Sequence, residues 1–378
     1  MKIDVGFYRP AVRIPAGPPL TVNEPAVSAS GGLSHHFSIL KYAAGLTVSP
    51  TLVLVTEPEF RRAQTTFSSA SSLSCTRVPA EEPALAAAIR KMGARHVIVG
   101  GSPYRDALYR SLPRGSVLAR FGVGFDGIDL AKATAAGLLC TNTPDVLTQS
   151  VAELAMLLVA SAARHLVMLD GGMRRGVWRS PEGTELSGKT LAVVGCGRIG
   201  RAMARIASVA FQMRVVGYRR RSHDVRPVEY SSTFDAETDD FATAVRAADY
   251  VSLHMPATPD NAHFIDTERL QMLQKHAWLI NTARGAVVDE AALYDALADG
   301  RLAGAALDVF EREPYEPVDP ARDLRTLPNV ILTPHVGSHT ADANRRMAER
   351  AMRNITLAEA GDFSSMDLLN PEVLNSRV

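Results

Sequence analysis

The chain is short of cysteine, of net charge and of long apolar runs, and each shortage removes a class of explanation. Three cysteines in 378 residues, Cys75, Cys140 and Cys196, are too few and too scattered for a disulfide framework or a zinc site. No metal is therefore expected, and such usage suits a reducing, cytoplasmic location. With 41 basic against 40 acidic residues the formal net charge is +1. That leaves no electrostatic footprint for nucleic acid or an anionic membrane. The most apolar stretch, residues 152–168, carries Glu153, Arg164 and His165, is short for a membrane span and reads as a buried helix. The first twenty residues hold Pro10, Pro15, Pro18 and Pro19 and show no apolar segment of the secretory kind. What is present is a globular composition, 46% hydrophobic and 21% charged, in a length that accommodates two domains of ordinary size.

Residues 1–50 are rich in Pro, Gly and Ser with little periodicity, and read as an irregular arm. From residue 51 apolar runs at 51–55, 96–99 and 116–121 predict strands, with helical stretches at 83–92 and 106–112 between them. A period near 3.6 predicts one long helix from about 150 to 175. A second alternation follows, with strands at 190–194, 214–218, 250–253, 278–281, 304–309 and 330–333, and a closing helix at 341–360 ended by Gly361. The expected fold is α/β: two Rossmann-like, doubly wound parallel sheets.

The most informative turn is Gly195-Cys196-Gly197-Arg198-Ile199-Gly200, a G-x-G-x-x-G that follows an apolar strand and opens a helical run. Gly195 permits the tight turn, Gly197 lets the backbone approach a pyrophosphate, and Gly200 allows strand and helix to pack closely. Free N–H groups at the helix start, within which Arg198 and Ile199 fall, then face the phosphates. The next strand ends in Arg219, Arg220, Arg221 and Ser222, where an NAD enzyme usually places a carboxylate for the adenosine ribose. Guanidinium groups there favour a 2′-phosphate, hence NADP over NAD, against the plainer alternative of a solvated basic loop.

Three further segments place polar residues just beyond strand ends, where ligands of such sheets collect. Asn281-Thr282-Ala283-Arg284-Gly285 offers a cation, with Thr282 beside it for the cofactor. Thr333-Pro334-His335-Val336-Gly337 offers a proton carrier, with Gly337 likewise on the cofactor side, and the run from Asp308 to Glu313 lies between them. Hydride transfer at C2 of a 2-hydroxy acid needs such a set: a cation for the carboxylate, an acid/base, and a group that holds the acid/base in its useful tautomer.

The stretch 280–314 (INTARGAVVDEAALYDALADGRLAGAALDVFEREP), followed by 332–337 (LTPHVG), closely resembles the signature of D-isomer-specific 2-hydroxyacid dehydrogenases. So do 122–130 (GVGFDGIDL), 142–153 (NTPDVLTQSVAE) and 252–256 (SLHMP), and the similarity runs from about residue 95 to 356. The resemblance implies that Arg284 binds substrate, Glu313 orients the histidine, and His335 is the acid/base. It implies that Asp308 contacts the nicotinamide amide and that the backbone of Val123 and Gly124 completes a carboxylate cradle. It also implies a nucleotide domain, 145–351, inserted into a substrate domain of 51–144 and 352–378, and a homodimer joined through the 150–175 helix. Glyoxylate- and hydroxypyruvate-type reduction is favoured. Phosphoglycerate oxidation is less so, because residues 100–105 offer one arginine where phosphoglycerate-type members tend to present more. A nucleotide-sensing corepressor of the same fold is the non-enzymatic alternative. Formate dehydrogenases are less similar, having no glutamate at the Glu313 position, and a purely structural role would leave the polar set without a purpose.

Overall fold

The computed structural model describes residues 49–220 and 233–377. The arm expected at residues 1–50 falls outside them but for its last two residues, and so do Arg221 and Ser222.

The first sheet is built from β1 (Thr51–Thr56), β2 (Leu73–Val78), β3 (His96–Val99), β4 (Val117–Arg120) and β5 (Leu139–Thr141). All its pairs are parallel and the order is β2-β1-β3-β4-β5. The second sheet holds β6 (Thr190–Val194), β7 (Arg214–Tyr218), β8 (Ala236–Thr238), β9 (Tyr250–Leu253), β10 (Trp278–Asn281), β11 (Gly304–Leu307) and β12 (Val330–Leu332). It too is wholly parallel, ordered β12-β11-β10-β9-β6-β7-β8. Strands covered on both faces must be apolar along their whole length, which is why β3, β6, β9 and β11 are continuous buried runs. The chain order reverses between the neighbours β6 and β9, so the loops after them diverge and leave a crevice at the carboxyl edge.

Several predicted elements need correction. β2, β5 and β8 escaped the sequence reading: β2 and β8 are edge strands with exposed or half-exposed polar residues, for instance Arg77 and Glu237, and β5 is buried but only three residues long. The helix expected from 150 to 175 is two helices, Thr148–Ala163 and Leu166–Arg174, inclined at 65° to each other. His165 stands between them in the left-handed region at φ 52°, which breaks the helical hydrogen-bond ladder although apolar residues continue across it. The first helix packs on β10, β11 and the helix Arg198–Phe211, whereas the second buries none of its residues. No single helix among the described residues is long and apolar enough to cross a membrane.

After β12 the chain returns to the first sheet. The helix Ala341–Glu359 buries Ala343, Met347, Ala348, Ala351 and Ile355 in the core that contains Val55, Ile98 and Ala119. The tail adds Val373 to that core, and Leu368 bridges Thr141. One apolar face runs the length of this helix, so it docks as a body from its first turn.

Candidate active site

The glycine turn sits in the crevice between β6 and β9. Gly195 has φ +104°, and a side chain there would meet the His254 carbonyl at 2.8 Å. A Cβ on Gly200 would lie 2.2 Å from the Gly195 oxygen, so strand and helix could not approach as they do. Gly197, by contrast, caps the 14-residue helix Arg198–Phe211 and has open space where a side chain would be. An accessible backbone at a helix N-terminus suits the pyrophosphate of a dinucleotide. Thr282, past the end of β10, adds a buried hydroxyl with no hydrogen-bond partner among the described residues. The residues thus fit an NAD(P) cofactor. Ile199 packs toward the first sheet's core, and Arg198 pairs with Asp145 at 2.6 Å.

At the end of β7 the Arg219 and Arg220 side chains are exposed, each near a carboxylate. Arg219 lies 3.8 Å from Glu237 and Arg220 lies 3.6 Å from Asp260. Glu237 is a carboxylate beside Arg219 that the sequence reading did not find, because it arrives from the undetected strand β8.

Arg284 reaches from the second sheet to the loop after β4. Asn281 shapes its turn, accepting from the Ala283 N–H at 3.0 Å and donating to the Arg284 carbonyl at 2.9 Å. The guanidinium donates from Nε to Asp126 Oδ2 at 2.9 Å, and Nη2 lies only 1.5 Å from where a Cβ on Gly124 would stand. Only glycine lets the arginine lie over this backbone. The carbonyls of Val123 and Gly124 are turned away, accepting from Asn142 Nδ2 and Arg120 Nε, both at 2.8 Å. Their N–H groups have no acceptor among the described residues. A guanidinium beside two free N–H groups is a cradle for a carboxylate. Asp126, two residues beyond Gly124, is a functional neighbour that sequence reasoning missed.

His335 and Glu313 meet: Nδ1 lies 2.6 Å from Glu313 Oε2, while Glu313 Oε1 accepts from the Phe310 N–H at 3.0 Å. Burial opposes the Glu313 carboxylate. The hydrogen bond and charge of His335, the Phe310 N–H and the nearby charge of Arg284 outweigh it and hold Glu313 below the usual carboxyl range. Since Nδ1 is engaged, Nε2 is the nitrogen left for a ligand. A cavity of about 480 Å³, walled by Phe310, Pro314, Tyr315, Leu332 and Pro334, opens beside the pair.

Asp308, expected to contact the nicotinamide, lies at the base of the His335 loop. It is 1% exposed, and its carboxylate lies under the His335 loop. It accepts from Thr333 Oγ1 at 2.5 Å, the Val336 N–H at 2.9 Å and the Gly337 N–H at 2.8 Å. Its carbonyl accepts from the His335 N–H at 2.8 Å. These four bonds hold His335 in the left-handed region, at φ 53°, an uncommon conformation for a residue with a side chain.

Comparison with known proteins agrees with this geometry. Residues 156–337 match the family model described as D-isomer specific 2-hydroxyacid dehydrogenase, NAD binding domain. The chain is 41% identical to a glyoxylate reductase of Thermococcus litoralis over 278 residues, 71% of this chain and 81% of that protein. It is 43% identical to a glyoxylate reductase of Thermofilum pendens over 272 residues, 70% and 78% of the two chains. Among solved structures, an NADPH-dependent glyoxylate/hydroxypyruvate reductase from Sinorhizobium meliloti, in complex with NADP and malonate, superposes with a TM-score of 0.70. It is 29% identical, and the match covers 85% of this chain and 98% of that one. The glycine turn in its crevice and the two relatives at over 40% identity point the same way: the chain belongs to the D-isomer-specific 2-hydroxyacid dehydrogenase family and is an NAD(P)-dependent oxidoreductase acting on a CH–OH donor.

Proposed function

We propose that this protein reduces small 2-keto acids of the glyoxylate and hydroxypyruvate type to D-2-hydroxy acids, with NADPH preferred to NADH. The observation that carries the reading is the cradle: Arg284 stretched over Gly124 beside two unpaired N–H groups, with the Glu313–His335 pair close to Arg284. Val123 and Gly124 hold the substrate carboxylate with their N–H groups, and Arg284 neutralises it and polarises the C2 oxygen. His335 presents Nε2 to that oxygen and gives it a proton on reduction, while Glu313 fixes the imidazole through Nδ1 and stabilises its charged form. The bound nicotinamide supplies the hydride. Asp308 acts from beneath, by holding the loop that carries His335.

Arg219 and Arg220 support the NADP preference, since two exposed cations at the end of β7 suit a 2′-phosphate. Ser222 is assigned to the same subsite on the sequence alone. We assign the substrate domain to residues 51–144 with 341–377 and the nucleotide domain to 145–340, and expect the cleft between them to close on binding. Homodimerisation is proposed through the helices from Thr148 to Arg174, where Leu157, Leu166, Val167 and Met173 lie exposed, as does Trp178 just beyond them in sequence, at 84%. A cytoplasmic location follows from the cysteine usage.

The test is a screen of the purified chain with NADPH and NADH against glyoxylate, hydroxypyruvate, pyruvate and phenylpyruvate, with phosphoglycerate assayed in oxidation. Glyoxylate or hydroxypyruvate should give the highest kcat/KM, with NADPH ahead of NADH by roughly ten-fold or more, as charge-assisted contacts to a phosphate imply. No turnover with any pair would remove the enzymatic reading.

A further inference from the structure

The turn that carries Glu313 is fastened by residues that do not belong to the substrate cradle. Glu290 is the first residue of the helix Glu290–Ala298, whose N-cap Asp289 accepts from the Ala292 N–H at 2.9 Å. Its side chain folds back onto Glu311. Glu290 Oε1 accepts from the Glu311 N–H at 2.6 Å, and Glu311 Oε1 accepts from the Glu290 N–H at 3.1 Å. Each carboxylate thus holds the other residue's backbone. On the other side Gly285, next to Arg284, presses so closely that a Cβ there would lie 1.8 Å from the Phe310 carbonyl carbon. The 310–313 turn is gripped between the start of this helix and the turn of Arg284, and Phe310 and Glu313 in turn bond each other.

We propose that Glu290 is a positioning residue of the reaction, which through its paired bonds with Glu311 sets the turn that presents Glu313 to His335. This rests on the roles given to Glu313 and His335 above. Glu290 touches neither substrate nor cofactor in this scheme; it acts on the proton carrier through Glu311 and Glu313.

The surroundings explain why a glutamate and not merely an apolar residue stands here. Glu290 is 4% exposed, and its second oxygen, Oε2, is buried without a partner among the described residues. Burial pushes its carboxyl up to about 7; the Glu311 N–H opposes this, the charges of Glu311 and Glu313 reinforce it, and Arg312 opposes it again. Both neighbouring carboxylates have an imidazole, since His263 lies 3.1 Å from Glu311 and His335 lies 2.6 Å from Glu313. A Glu290 that keeps its proton near neutral pH can accept the Glu311 N–H without adding a third negative charge to the cluster. Glutamine keeps that acceptor and removes the titration; alanine removes the grip.

The experiment follows the His335 ring resonance by NMR through a pH titration of the full chain without substrate, in wild type, Glu290→Gln and Glu290→Ala, with steady-state kinetics alongside. In Glu290→Ala the His335 midpoint should move to lower pH than in wild type as the Glu313 contact loosens. Its kcat should fall roughly ten-fold, with KM for keto acid and cofactor changed less than about three-fold, and Glu290→Gln should restore both readouts. An unmoved midpoint in Glu290→Ala, or a Glu290→Gln as impaired as the alanine variant, overturns the proposal. If the alanine variant does not fold, Glu311→Ala, which removes the acceptor for the Glu290 N–H, takes its place and must shift the midpoint in the same direction. The titration needs no turnover, so an inactive wild type would defeat the proposed reaction without imitating a failure here.

Discussion

Arg284 holds two partners at once, and that is the reason a lysine should not replace it. Its Nε is bound to Asp126 while Nη2 lies over Gly124, a division of labour that requires the planar fork. Arg284→Lys should therefore raise KM for the keto acid and lower kcat together. We expect kcat/KM to drop by one to two orders of magnitude, or about 1.5–3 kcal/mol, the worth of a charge-assisted hydrogen bond. A loss confined to cofactor binding would place Arg284 elsewhere. Glu313 makes a prediction of a different kind. Reduction needs the protonated imidazole, which an adjoining carboxylate favours, so activity is lost as pH rises and that proton leaves. Glu313→Gln removes the negative charge and should move the alkaline limb of the kcat/KM profile to lower pH; an unmoved limb would contradict the contact. At this scale the sequence was legible in placement where a residue stands just after a strand in a long motif, as Arg284 and His335 do. It was not legible where the partner comes from another part of the chain. Asp126 is 158 residues from Arg284, and the three bonds that cover Asp308 come from residues at least 25 positions away.

Among the elements, β3, β6, β7, β9 and β10 could be read to the residue and β1, β4 and β11 to within one or two, since burial on both faces demands unbroken apolar runs. The edge strands β2 and β8 could not, since one side of each is open and polar residues are tolerated. The break at His165 was hidden for the complementary reason: apolar residues persist on both sides, and composition does not report a single left-handed φ. The return of the last helix to the first sheet brings a testable contact. His96 on β3 is fully buried, accepts the Val117 N–H on Nδ1 at 3.0 Å, and lies 3.0 Å from Glu359 through Nε2. That leaves the proton on Nε2 and the ring neutral. Burial holds its pKa below the ordinary histidine value; Glu359 opposes this in part and Arg95 adds to it. A group whose folded pKa is depressed contributes stability above its unfolded pKa and loses it as pH falls from about 6.5 toward the folded value. His96→Gln keeps a donor and an acceptor but cannot titrate. Thermal unfolding at pH 8 and pH 5.5 should show a smaller acid loss of Tm in the variant than in wild type. Equal losses would mean that His96 does not take up the proton.

At the scale of the whole molecule, the described residues form two parallel sheets whose carboxyl edges supply the two halves of the proposed site. Val123 and Gly124 follow β4 of the first sheet, while Arg284 and His335 follow β10 and β12 of the second. In the function proposed here, such a division would let the domains separate to admit substrate and meet to exclude water. It also explains why the family was readable from sequence and the reactive geometry only in part: motifs record each loop, but the approach of one loop to another depends on both sheets. The central claim is that His335, held by Glu313, handles the proton at the C2 oxygen. Its most direct test is the initial rate of NADPH-dependent glyoxylate reduction by wild type and His335→Ala, with cofactor affinity measured separately by fluorescence titration. The account predicts a fall in kcat of roughly two to four orders of magnitude with cofactor binding nearly unchanged. A His335→Ala protein that turns over at the wild-type rate would contradict it.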